Sequence, residues 1–146
     1  MREIKFRGRR LDYGRENGGQ WVYGSLVKLG TKMCIKDWSD KNNLIRIDGT
    51  NIDADVRCVE VDPKTVGQYV GLTNKNKTDI YEGDILRDHV GVGKVTWVQE
   101  HCAFLVFTTE CGGSVFHYLR SGDSNFKLKD SLVIGNIHEN PELMGG

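Results

Sequence analysis

The sequence predicts an all-β fold built from antiparallel strands. Eighteen glycines, many of them single, are scattered along a chain of 146 residues that holds two prolines, and scattered glycines mark the many tight turns that a β architecture needs. Apolar residues occur in short runs with a period of two, which is typical of strands that bury one face. Since no longer window keeps a helical apolar period, we expect one or two short helical turns at most.

Strands separated by segments rich in Gly, Asn and Asp are predicted along the whole chain. Gly24 interrupts the second of them, and a glycine inside a strand pattern often marks a β-bulge. The predicted strands cover residues 4–7, 20–29, 32–38, 44–47, 56–61, 69–73, 79–81, 85–87, 93–99, 103–109, 114–119 and 132–137.

Two sites carry helix-start signals, and one loop carries a hairpin signal. Asp62 is placed to cap a helix that begins at Pro63, and the Asn140-Pro141 pair repeats the pattern. The hairpin signal is a polar turn at residues 74–78, between two apolar runs. Because this turn has no glycine, we expect Asn76 to adopt a positive φ angle.

Length favours a single domain over residues 1–146, with possible lobes at 1–62 (an N-terminal β lobe) and 63–146 (barrel-like). The N-terminus has no apolar signal region, and no apolar run is long enough to span a membrane. We therefore expect a cytoplasmic protein without membrane contact. Free thiols are expected there at all four cysteines, Cys34, Cys58, Cys102 and Cys111.

The net charge is zero, but the charge is unevenly distributed. Residues 1–36 hold nine Lys/Arg and three Asp/Glu, whereas residues 37–63 hold three and seven. In a strand, Ile4 and Phe6 would face one side and Lys5, Arg7 and Arg9 the other. Such a row of cations suits phosphates, and nearby aromatic rings suit bases. The candidate nucleic-acid-binding residues are Arg2, Lys5, Arg7, Arg9, Arg10, Trp21 and Tyr23. An edge strand protected by charge and a contact with a protein are the alternatives.

Catalytic and metal patterns are weak. The Gly91-Val-Gly93 segment lacks the remainder of a nucleotide-binding loop, and no serine has a nucleophile-elbow context. A composite metal site would need four residues at unusual spacing: His101, Cys102, Cys111 and His117. Acid–base chemistry would need a cluster of Asp62, Asp79, Glu82 and Asp84, whose commoner role is to accept backbone N–H bonds at turns. We expect no enzyme activity, no metal and no cofactor.

Several segments together resemble the YopX family of phage and prophage proteins. They are Arg2–Gly8, Trp21–Leu26, Asp62–Thr73, Asp79–Leu86 and Val133–Leu143, in the family's order. One departure is Lys77, where the family usually places a glycine. The resemblance implies a β-rich fold and a phage or prophage origin, but it implies no reaction and no site residues.

A second resemblance, to small SH3-like barrels, covers part of the C-terminal half. Residues 82–86, 93–97 and 103–107 are similar to the first three strands of such a barrel. Residues 115–119 and 132–137 would then close it.

These observations lead us to expect a phage- or prophage-encoded, non-enzymatic accessory module in the cytoplasm of the bacterial host. It would bind a phage or host protein or assemble with itself. A nucleic-acid-binding module that uses the basic N-terminal strand is the first alternative. A hydrolase or nuclease that uses the carboxylates is the second.

Overall fold

The computed structural model describes residues 1–11, 19–39, 58–89, 91–110, 113–119 and 130–145. Its strands form antiparallel sheets, and its helices are short 3-10 turns at Pro63–Thr65, Gln99–His101 and Pro141–Met144. The all-β prediction is confirmed. The predicted strand at 44–47 lies outside the described residues. The strands are β1 Phe6–Arg9, β2 Trp21–Leu29, β3 Lys32–Asp37, β4 Val59–Val61, β5 Gly67–Thr73, β6 Asp79–Tyr81, β7 Asp84–Arg87, β8 Val92–Val98, β9 Ala103–Glu110, β10 Gly113–Tyr118 and β11 Leu132–Asn136.

The chain divides into two compact units. Ile4–Gln68 form the N-terminal unit, and Met1–Glu3 join Tyr69–Gly146 in the C-terminal unit. Division into lobes at 1–62 and 63–146 stays a prediction. In the described parts of both units, no helix has the length and apolar character needed to cross a membrane.

The N-terminal unit is a curled sheet with the strand order β4-β3-β2-β1. The far side of β1 pairs with the first residues of β5. An isolated bridge joins Arg10, just after β1, to Val61 at the end of β4. This curling encloses a core of Val22, Ile35 and Val61, which are at most 4% exposed. Phe6 packs against this core, as its position in the alternating pattern predicts.

Gly24 does not form the predicted bulge. Its ladder is continuous on both sides: Gly24 pairs with Phe6 of β1 and with Asp37 of β3, and the neighbouring pairs follow in register. The glycine is required for another reason, because an ideal Cβ at this position would overlap the carbonyl oxygen of Lys36. The signal that suggested a bulge is therefore a close approach of two backbones.

The Asp62 cap is confirmed. The Asp62 carboxylate accepts the backbone N–H of Lys64 (3.0 Å), and Pro63 occupies the first position of the 3-10 turn. Thr65 ends this turn, and its hydroxyl accepts the N–H of Arg9 at 2.9 Å. The predicted helical turn thus also fixes the end of β1.

The predicted hairpin between β5 and β6 is present, but its left-handed residue is Lys77 (φ +60°) and not Asn76. The carboxamide oxygen of Asn74 accepts the N–H groups of Asn76 and Thr78, each at 2.9 Å. Asn74 and Thr78 thereby enclose a three-residue loop. In such a loop the last residue takes the left-handed conformation.

The C-terminal unit contains a five-stranded sheet with the order β10-β9-β8-β7-β11. The core of this unit consists of Ile80, Leu86, Val95 and Val106, all at most 1% exposed. The five segments predicted to form an SH3-like barrel therefore share one sheet. Strands β10 and β11 are its two edges, and no ladder between described residues joins them, so closure into a barrel stays a prediction.

The bend at residues 82–84 links three parts of the C-terminal unit. The N–H of Gly83 donates to the carbonyl of Val95, and the carbonyl of Gly83 accepts the N–H of Ile137, both at 2.9 Å. Asp84 is 1% exposed and accepts the N–H of Tyr81 at 2.8 Å. This segment is a structural junction.

Candidate interaction face of the N-terminal unit

The β1–β2 ladder places four of the predicted nucleic-acid-binding residues side by side. Arg7 pairs with Tyr23, and Arg9 pairs with Trp21. Residues directly opposite in an antiparallel ladder lie on the same face. This is the face away from the core residue Val22, because side chains alternate along β2. The predicted proximity of cations and aromatic rings is therefore present at these four positions.

Arg7 is held within the sheet and is not a protruding cation. It is 6% exposed, and its guanidinium lies over the ring of Trp21, 4.7 Å from the centroid. Such a stack is electrostatically favourable, and its value rises when the cation is desolvated. One side of the Trp21 ring is thus already covered by Arg7.

Arg9 and Arg10 also have structural contacts. The Arg9 Nε donates to the carbonyl of Gly19 at 3.0 Å. The backbone of Arg10 donates to Gln20 at 2.9 Å and accepts the N–H of Gly19 at 3.0 Å. Both side chains are half-buried. These residues help to join the end of β1 to the start of β2.

Two exposed aromatic side chains lie next to this stack. Tyr23 is 43% exposed and Trp38 is 47% exposed, and the N–H of Trp38 donates to the carbonyl of Tyr23 at 3.2 Å. The indole N–H of Trp38 donates to the Ser25 hydroxyl at 2.8 Å. The Lys5 ammonium is 5.9 Å from the centre of the Trp38 ring. We call Lys5, Arg7, Trp21, Tyr23 and Trp38 the aromatic face.

Trp38 is the member of this face that sequence reasoning missed. Trp38 ends the predicted strand 32–38, so the sequence predicts that its side chain lies on the same face as that of Lys36. The sequence does not predict which residues of β2 lie beside Trp38, because those contacts depend on the register between β2 and β3.

Two residues depart from the predicted pattern. Ile4 does not join Phe6 in the core: it precedes β1 and is 61% exposed. Arg2 belongs to the C-terminal unit, where its Cγ and Cδ lie 3.7 Å from the Cβ position of Gly71. Of the predicted row of Lys5, Arg7 and Arg9, only Arg7 and Arg9 lie on β1, because the strand begins at Phe6.

The four carboxylates proposed for acid–base chemistry have other placements. Asp62 is a turn cap in the N-terminal unit, and Asp84 holds the bend after β6. Asp79 pairs with Thr73 in the β5–β6 ladder, and Glu82 lies in the bend. Asp62 and Asp84 both accept backbone N–H groups, which is the commoner role of such residues at turns.

The composite metal site is only partly covered by the described residues. His101 and Cys102 are both exposed, and Cys102 donates to the carbonyl of Gln99 at 3.4 Å. Cys111 and the side chain of His117 lie outside the described part. Among the described residues, no three His, Cys, Asp or Glu side chains are grouped as metal ligands.

Comparisons with known proteins identify a family. No curated protein matches the chain. The crystal structure of protein EF1440 from Enterococcus faecalis is similar to it, with a TM-score of 0.49 and 20% sequence identity over 99% of both chains. The family model described as YopX protein matches residues 15–145. Because this match covers nearly the whole chain, the chain belongs to the YopX family.

Proposed function

We propose that this chain is a phage- or prophage-encoded, non-enzymatic binding module of the bacterial cytoplasm, and that it contacts a protein partner through the aromatic face. The observation that carries the proposal is the pair of exposed aromatic rings of Tyr23, on β2, and Trp38, directly after β3. Tyr, Trp and Arg are the residue types enriched at the centres of protein interfaces.

The local hydrogen bonds make this pair suited to binding. The indole of Trp38 is tied to Ser25, and its backbone is tied to Tyr23. A ring already held in place loses little conformational freedom when a partner covers it. Lys5 adds a positive charge at the edge, which favours partners with acidic groups beside an apolar patch.

The test compares the wild-type protein with a Tyr23→Ser/Trp38→Ser double variant. Binding partners are captured from host lysate, and self-association is measured by light scattering after size exclusion. We expect the double variant to lose a captured protein, or to lose self-association, by at least about tenfold, as for hot-spot aromatics. Leu29→Ser is the matched control, because Leu29 is a 59% exposed apolar residue of the same unit. Equal binding by wild type and double variant contradicts the proposal.

Nucleic-acid binding is the second candidate, and the cation–ring stacks favour it. Lys5 lies over Trp38 and Arg7 over Trp21, and rings beside cations are what single-stranded nucleic acids stack on. The variant that tests this candidate is Lys5→Ala. Replacement of Arg7 would disturb the sheet, because Arg7 is buried. Binding that weakens steeply with salt, and weakens further in Lys5→Ala than in Lys28→Ala, supports this candidate. No retardation of DNA at low salt rejects it.

A hydrolase or nuclease is not proposed. Asp62 and Asp84, which such a site would need, are engaged with backbone N–H groups.

A further inference from the structure

Two cysteines occupy neighbouring positions on one face of the N-terminal sheet. Cys34 of β3 pairs with Glu60 of β4, and Ile35 pairs with Val59. Cys58 directly precedes β4, and the alternation of that strand, continued by one residue, puts it on the same side as Glu60 and Cys34. Cys34 and Cys58 are therefore diagonal neighbours across the two chain segments. Both are free thiols; Cys34 is 8% exposed, and Cys58 is half-buried.

A buried ammonium group lies on the same face. Lys36 follows Cys34 by two residues, and the β3–β4 register, extended by one residue beyond its last pair Ile35–Val59, puts it opposite Cys58. Its Nζ is shielded from solvent and has no hydrogen-bond partner among the described residues. A buried cation without a partner is unfavourable, and a neighbouring anion relieves that cost. A thiolate at Cys58 would be such an anion.

The electrostatics agree with this proximity. Burial raises the pKa of the Cys58 thiol above its ordinary value, the neighbouring Cys34 raises it further, and Lys36 opposes both effects. Cys58 is thus mainly a protonated thiol at neutral pH, and its thiolate fraction increases as the pH rises.

We infer that Cys34 and Cys58 form a redox-active pair, which a hydroperoxide converts into a disulfide between β3 and the residue that precedes β4. The thiolate sulfur of Cys58 attacks one oxygen of hydrogen peroxide, the O–O bond breaks, and the products are a sulfenic acid and hydroxide, which takes up the proton that Cys58 released and becomes water. The Cys34 sulfur then attacks the Cys58 sulfur, the S–O bond breaks, and a second water leaves. Two thiols are oxidised by two electrons, and one hydrogen peroxide is reduced to two waters.

The geometry requires a small movement at Cys58. Diagonal neighbours in a sheet are about 7–8 Å apart, whereas the Cα atoms of a disulfide are usually about 4.4–6.8 Å apart. Cys58 lies one residue before β4, outside the paired ladder. It can therefore approach β3 without breaking a β3–β4 ladder pair. Disulfides in cytosolic proteins are commonly transient and redox-sensing, which suits a pair that starts as thiols.

The experiment treats the folded full-length protein with hydrogen peroxide, blocks the remaining thiols and maps the peptides by mass spectrometry. We expect a linked peptide that joins Cys34 to Cys58 and returns to two thiols on reduction. Cys58→Ser should abolish this link, and Cys102→Ser should leave it unchanged, because Cys102 lies in the other unit. Lys36→Met should slow the reaction several-fold at fixed pH, whereas Lys36→Arg should retain most of the rate.

Four results overturn the inference. The first is oxidation of Cys58 to a sulfinic acid while Cys34 stays a thiol, and the second is a disulfide from Cys34 or Cys58 to Cys102 or Cys111. The third is a Cys34–Cys58 link that forms only in denaturant. The fourth is a Lys36→Met variant that reacts as fast as the wild type. Circular dichroism of each variant confirms that it is folded before the rates are compared.

Discussion

Replacement of Gly24 by alanine is the sharpest test of how the N-terminal sheet is built. Gly24 is paired on both sides, and an added Cβ would overlap the carbonyl oxygen of Lys36 and lie 3.1 Å from Cδ1 of Trp38. The Trp38 ring can move, but the carbonyl belongs to the backbone of the neighbouring segment. Relief therefore requires that β2 and β3 separate around this point.

The expected loss in the free energy of unfolding follows from that separation. Overpacking that side chains can absorb costs about 1–3 kcal/mol, and each ladder hydrogen bond lost adds about 0.5–1.5 kcal/mol. We expect Gly24→Ala to lower the free energy of unfolding by about 3 kcal/mol or more. Gly30→Ala is the matched control: Gly30 has φ +62° and open space around it. The left-handed conformation costs alanine about 1–2 kcal/mol, partly offset by about 0.4–1 kcal/mol from the less flexible unfolded chain.

The assay is urea unfolding followed by tryptophan fluorescence in a Trp97→Phe background. The remaining tryptophans, Trp21 and Trp38, both lie in the N-terminal unit, so the signal reports on that unit. Linear extrapolation gives the two free energies. If Gly24→Ala is no less stable than Gly30→Ala, the backbones do not approach closely at Gly24, and this interpretation of the glycine in β2 is wrong.

Three further predictions concern single groups. Asp84→Ala should destabilise the protein by about 1–3 kcal/mol, because it leaves the buried N–H of Tyr81 without its acceptor; a loss below about 0.5 kcal/mol in urea unfolding would show that water replaces the carboxylate. Lys77→Gly should raise the unfolding midpoint slightly, since it removes the strain of a positive φ angle, whereas Asn76→Gly should lower it; the opposite order would place the left-handed residue at Asn76. The raised pKa of Cys58 means that folding favours its protonated form. The contribution of this thiol to the free energy of unfolding is fully present below the unfolded-state pKa of about 8.5, and it is lost as the pH rises through the higher folded-state pKa. The difference in unfolding free energy between wild type and Cys58→Ser should therefore be constant below that pH and decline above it, and a difference that is flat throughout would mean that the thiol is not desolvated.

The sequence by itself determined the class of fold and most of the strands. A period of two in apolar residues is a local property, because it reflects which face of a strand is buried. The Asp62-Pro63 cap was readable for the same reason: its donor and acceptor are two residues apart in the chain. The family was also readable, since its motifs are continuous segments.

Only the tertiary structure decided what depends on register. The burial of Arg7 under its stack with Trp21, the exposure of Tyr23 and Trp38, and the close approach at Gly24 all follow from which residue lies opposite which. A shift of one residue between strands would move each of these side chains to the other face. For the same reason the sequence located the basic and aromatic residues of the candidate site but overestimated how many of its cations are available to a partner.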